Sequence, residues 1–258
     1  MPVLTRSRRY GRAALAGVKE NRPRPLDLGV RACGVIFGKS LSAAASTEPA
    51  EWICESIGGE PWTVSALVPN RYESLLRLHA PDRAPDGWWE LYRDLFILVA
   101  SLGARHATTP THAWFAIWEG HGFDKTTTHV AWRDPPANDA ERQWRAAERE
   151  RLRIADRERN ATIGSALAAI PRFGLPGRAY YLTQGPLSAM ADLRYPDFDG
   201  WRNPDLFWPH DRSWFAATDV DFWSLYVGGS ETFTNELAVR ASTPCTSVHY
   251  HDRLPNED

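Results

Sequence analysis

The chain has 258 residues, 43% of them hydrophobic and 24% charged, proportions that permit a packed core and exclude wholesale disorder. No apolar run is longer than Leu95 to Ala100, far short of the roughly 20 residues that cross a bilayer, which excludes an integral membrane protein built on such helices. The formal net charge of −2 conceals a division: residues 1–45 carry nine Arg or Lys against Glu20 and Asp27, and the remainder carries 21 against 30 acids.

The first segment, 1–47, is a basic arm whose apolar residues follow no period, so it is expected to be disordered. It is also where nucleic acid would bind, because clustered Arg and Lys neutralise phosphates. Near its end Gly34-Val35-Ile36-Phe37-Gly38-Lys39-Ser40 resembles a phosphate-binding loop. The spacing is one residue short and Cys33 occupies the required glycine position, so it is taken as coincidence. Cys33, Cys54 and Cys245 are odd in number and lack C-x-x-C spacing, which argues against a disulfide framework or structural zinc and fits a reducing cytoplasm.

One globular domain is expected over 48–258. Trp62 to Val68 has strand composition, and Asn70 to Glu73 has capping-box spacing, which predicts a helix with Tyr72, Leu75, Leu76 and His79 on one face and Pro81 as its stop. Asp86 is placed to cap a second helix whose stripe is Trp89, Tyr92, Phe96, Val99 and Leu102, with Gly103 near its end. Ala113 to Glu119 reads as a strand buried on both faces.

A charged insertion at about 124–170 follows. Within it Asp139 to Asn160 holds seven Arg and six Asp or Glu, a solvated helix tethered by Trp144 and Leu152. Beyond it come a strand at Ala179 to Gln184, a short helix opened by Pro186, and an aromatic loop with Trp201, Phe207, Trp208 and Pro209. A strand at Ser213 to Asp221, a helix capped by Ser230 and carrying Phe233 and Leu237, and a strand at Thr246 to Tyr250 complete the chain. The alternation predicts an α+β domain with a single mixed sheet of about five strands, or alternatively an α/β fold.

Trp114-Phe115-Ala116 recurs as Trp214-Phe215-Ala216, with Glu119 and Asp219 each five residues after the tryptophan. Two equivalent strands would bring these carboxylates to matching ends of one sheet. The remainder of the halves does not align, so the echo is attributed to shared strand chemistry and not to duplication.

Several blocks occur in order: Ser65-Ala66-Leu67-Val68-Pro69, Arg105-His106-Ala107-Thr108-Thr109-Pro110, Trp114 to Gly120, Leu175-Pro176-Gly177-Arg178 with Tyr180 and Tyr181, and Trp208 to Trp214 leading to Gly228-Gly229-Ser230. Together they resemble an uncharacterised family of actinobacterial proteins over about 52–240, which implies a bacterial, cytoplasmic protein and assigns no catalytic residue. The segment Val68 to Leu75 and the strand Trp214 to Asp221 are also similar to SUKH-type immunity proteins, a class that works by binding toxins, and this implies a helix start at Pro69 to Tyr72 and a protein partner.

Two constellations carry possible chemistry. Asp219 and Asp221 share one face of a strand and, with Glu119, could hold magnesium for phosphoryl or nuclease chemistry. Cys245, His249 and His251 could offer soft metal ligands, although no fourth ligand is visible and a fraying terminal strand explains them as well. His106, His112, His121 and His129 lack metal spacing, and no G-x-S-x-G or distinctive cysteine context supplies a nucleophile. Of the twelve tryptophans, Trp88, Trp89, Trp114, Trp118, Trp208, Trp214 and Trp223 fall in segments that should converge on one sheet and could frame an aromatic pocket for a cation, a sugar or a peptide, although core packing accounts for most of them. The loop residues Trp201 and Trp208 are assigned to an exposed contact surface, where aromatic side chains concentrate. The leading expectation is a non-catalytic binding or interaction protein without an organic cofactor. The alternative is a carboxylate-dependent magnesium enzyme acting on phosphate esters or nucleic acid.

Overall fold

Short apolar stretches that bury side chains on both faces belong at the centre of a sheet covered on both sides, and the chain uses them so. A computed structural model describes residues 36–80, 88–125, 127–128, 130–132, 134–195, 200–219 and 222–255, with the backbone alone of Trp88, Trp89, Phe222 and Trp223. The expectations placed on residues 1–35, Asp86, His129 and Asp221 lie outside the described residues.

The strands are β1 (Ser42–Ala43), β2 (Ser74–His79), β3 (Ala113–Trp118), β4 (Arg172–Leu175), β5 (Arg178–Gly185), β6 (Leu206–Pro209), β7 (Phe215–Asp219), β8 (Phe222–Gly229) and β9 (Cys245–Ser247). They form one sheet in the order β1-β5-β3-β6-β7-β8-β2-β9, with β4 beside the first half of β5. All the pairings are antiparallel. The domain is α+β as expected, but among the described residues the sheet has nine strands rather than about five and is not mixed. Four strands of two to four residues (β1, β4, β6 and β9) are too short to show a period in the sequence.

Helices α1 (Glu48–Ser56), α2 (Trp88–Arg105), α3 (Asp139–Leu167) and α4 (Glu231–Arg240) complete the framework. Among the described residues no helix is long and apolar enough to cross a membrane. Of the predicted α2 stripe, Tyr92, Phe96, Val99 and Leu102 are buried. Gly103 lies inside α2 because Trp214 packs against it: a Cβ there would come within 2.4 Å of the indole, whose Nε1 donates to the Gly103 carbonyl at 2.9 Å. Ser230 caps α4 as expected, accepting from the Phe233 N–H.

Two expectations on the first half are corrected. Trp62 to Val68 is no strand but a 3-10 turn, Val64–Ala66, tied down by backbone bonds from Val64 to Asp252 and Ser65 to Tyr250. The segment after Asn70, expected as a helix from the capping-box spacing and from the SUKH likeness, is strand β2. Its side chains alternate, with Leu76 and Leu78 in one core and Leu75 in the other, and it pairs with β8 over six residues. Glu73 does not close a capping box here: its carboxylate accepts from the N–H of Glu231 at the start of α4, 3.4 Å away.

The two sheet faces hold separate cores. One, under α2 and α4, contains Phe115, Ile117, Phe207, Trp214, Leu225 and Val227. The other, under α1 and the 3-10 turn, contains Trp114, Leu182, Trp208, Phe215 and Tyr226. Each buried aromatic contributes several kcal/mol, about 3–5 when truncated to alanine.

Helix α3 departs from this pattern. Asn138 accepts from the Glu141 N–H and the Glu141 carboxylate accepts from the Ala137 N–H, a local cap that starts the helix without help from the sheet. The solvated helix expected over Asp139 to Asn160 runs on to Leu167, where Ile163 and Leu167 enter the first core. Trp144 is exposed, with its ring 6.3 Å from that of Trp132 and edge-on to it, so it is not the expected tether. The tethers are buried Arg145, which donates to the Asp134 carbonyl, and buried Asp156, which accepts from the N–H and hydroxyl of Thr128. Trp132 lies under the guanidinium groups of Arg145 and Arg149, at 5.3 and 4.9 Å.

Candidate ligand-binding site

Strands β3 and β7 both pair with β6 and run antiparallel to it, so they are parallel to one another and end at the same edge of the sheet. Glu119 and Asp219 therefore do arrive at matching ends. The echo that suggested this faces opposite ways, however, since Phe115 lies level with Phe207 and Ala216, not with Phe215. Trp114 consequently belongs to one core and Trp214 to the other, as expected of shared strand chemistry in unrelated segments.

Each of the two carboxylates meets an arginine. Arg172 on β4 donates to Glu119 at 2.6 Å, and Arg178 at the start of β5 donates to Asp219 at 2.7 Å. Asp221, the third proposed ligand, lies outside the described residues. Among the described residues no three His, Cys, Asp or Glu side chains gather as a metal would require. Cys245, His249 and His251 do not line one strand, because β9 stops at Ser247 and the histidines follow in a turn closed by Asp252. Of the other histidines, His106 pairs with Glu236, His112 stacks on His210, and His121 approaches buried Asp205 at 3.4 Å.

The exposed aromatic surface expected at Trp201 and Trp208 is corrected. Leu206–Pro209 is not a loop but the central strand β6, and Trp208 is wholly buried, edge-on to Trp52. Trp201 is also buried, packs on Phe96 of α2, and donates from Nε1 to the Met190 carbonyl at 2.6 Å. Pro204 just before the strand and Pro209 as its last residue disguised it, since proline is rare inside sheets.

A different tryptophan is exposed. Trp62, 54% accessible, lies at the rim of a cavity of about 230 Å³ at the sheet edge just described. Its backbone is left-handed, with φ of 65°, a conformation that costs a bulky residue roughly 1–3 kcal/mol and persists only where its surroundings impose it. Here they do: the Trp62 carbonyl accepts from Leu254 at 2.8 Å, and Thr63 bridges to Arg253. The cavity wall is apolar, built from Ile57, Pro61, Ala66, Leu67, Leu175, Pro176, Leu206 and Leu254.

The polar lining of this cavity is the Arg178–Asp219 pair together with Tyr180. The guanidinium also lies over the Trp118 ring at 5.2 Å, which holds its plane. Burial pushes the Tyr180 hydroxyl well above the usual phenol range, Asp205 and Asp219 add to this, and Arg178 opposes it, so the phenol stays protonated. The β4–β5 hairpin positions Arg178 through Gly177, whose φ of 76° suits the turn. Trp62, Arg178 and Tyr180 carry no shared signal in the sequence. The block Leu175-Pro176-Gly177-Arg178 signals the hairpin, but 41 residues separate Arg178 from Asp219 and nothing local announces their pairing.

Comparison of the chain with protein-family models, with curated protein sequences and with solved structures finds no match.

Proposed function

We propose that the protein is a non-catalytic binding protein whose ligand enters the cavity beneath Trp62. The carrying observation is Trp62 itself: an exposed indole, held in left-handed backbone, at the mouth of an apolar cavity. Exposed aromatics beside concave apolar walls with a few placed polar groups are the usual make-up of ligand sites. Backbone strain concentrates at such places because the geometry is kept for function at a cost to stability. The Arg178–Asp219 pair supports binding over acid–base chemistry, since the two side chains are engaged with one another at 2.7 Å.

Ligand-observed NMR with a panel of small apolar compounds tests this. Binding that Trp62→Ala weakens and Ala66→Phe abolishes, both variants melting as cooperatively as wild type, is the expected result. Binding indifferent to both substitutions would place the site elsewhere.

A further inference from the structure

We infer that the ligand of this cavity is a small zwitterion, an apolar α-amino acid in its free form. The inference rests on the cavity being the binding site. Among the lining residues two carry charge, Arg178 and Asp219, in contact at 2.7 Å and mostly enclosed, with side-chain exposures of 22% and 14%. Charges interact more strongly in such a place than in water, so the net charge of an entering group decides whether it is accepted.

A lone carboxylate that approaches Arg178 also approaches Asp219, and a lone ammonium that approaches Asp219 also meets Arg178. A head group bearing both charges on one carbon offers each to its opposite and brings no net charge into apolar surroundings. The remaining requirement is a small apolar body, because Leu67, Leu175 and Leu206 form the wall beyond the pair. At about 230 Å³ the cavity falls below the roughly 300–1,000 Å³ of sites for drug-sized ligands, which suits one side chain with its head group. The indole of Trp62 then closes the open side.

Isothermal titration of the full chain at neutral pH tests this with L-leucine and L-phenylalanine, set against 3-phenylpropanoate (carboxylate alone), phenethylamine (ammonium alone) and N-acetyl-L-phenylalaninamide (no charge). The amino acids are expected to bind at least about tenfold more tightly than any of the three comparison probes. Asp219→Asn should move the preference toward 3-phenylpropanoate and Arg178→Gln toward phenethylamine, opposite changes that a general loss of folding would not produce. If a singly charged probe binds as tightly as the amino acids and Ala66→Phe still blocks it, the zwitterion is wrong and the site stands. Tighter binding of the uncharged amide also overturns the zwitterion and points to the side chain of a polypeptide partner. If no probe binds, or if binding survives both Ala66→Phe and Trp62→Ala, the site and the zwitterion fall together.

Discussion

Trp62 and the Trp201–Trp208 segment are both aromatic, both flanked by proline and both outside any obvious period in the sequence, yet they have opposite roles. Trp201 and Trp208 are buried, one in each core. Trp62 is more than half exposed, in a backbone conformation its side chain disfavours. Aromatic density marks what a fold is built on; exposure combined with strain marks where it keeps something for use.

Substitutions can break this contrast. The largest effect is expected from Trp208→Ala, which empties space between Trp52 and Phe215 and should lower unfolding stability by about 3–5 kcal/mol in urea titrations. A cost near that of a surface substitution would mean that β6 is not central. Next come Arg178→Gln and Asp219→Asn, each expected to cost about 1–3 kcal/mol, because either change removes a 2.7 Å ion pair between two largely enclosed side chains. An apolar double variant should recover part of that loss, and a double-mutant cycle measures how much.

Acid offers a third test, directed at α3. The Thr128 N–H, then its hydroxyl, and then Arg159 hold the Asp156 carboxyl below the usual carboxylate range. A depressed folded-state pKa means that the stabilisation is fully present above the unfolded value of about 3.9 and is lost as pH falls through the lowered one. Hydrogen exchange in α3 should therefore accelerate in that window, and Asp156→Asn should flatten the response. Exchange indifferent to both changes would show that this contact does not hold the helix.

The smallest expected effect is the most diagnostic for Trp62. Glycine adopts φ of 65° freely, so Trp62→Gly should leave stability unchanged or raise it by up to about 1 kcal/mol while ligand binding weakens. Clear destabilisation would make Trp62 a packing residue like Trp208.

Helix α2, the caps of α4 and the strands β3 and β7 were legible in the sequence because a long stripe, a serine cap or a doubly apolar run has one physical reading. Segment β2 was not: Tyr72, Leu75, Leu76 and His79 satisfy a helical spacing, and a strand buried on both faces yields the same apolar positions. Pairing with β8 over its whole length decides in favour of the strand, a tertiary effect that local propensity does not encode. At the candidate site the convergence of Glu119 and Asp219 on one sheet edge was legible, but their arginine partners were not, because pairing across a sheet leaves no spacing in the chain. The strain at Trp62 was equally hidden, since it arises from the C-terminal segment 252–254 holding the turn.

The most direct measurement is ¹⁹F NMR of the protein labelled with 5-fluorotryptophan, with the Trp62, Trp201 and Trp208 signals assigned by single substitution to phenylalanine, during titration with L-phenylalanine. The Trp62 resonance should move with saturation while those of Trp201 and Trp208 stay in place. A stationary Trp62 signal beside a moving Trp201 or Trp208 would contradict a site beneath Trp62.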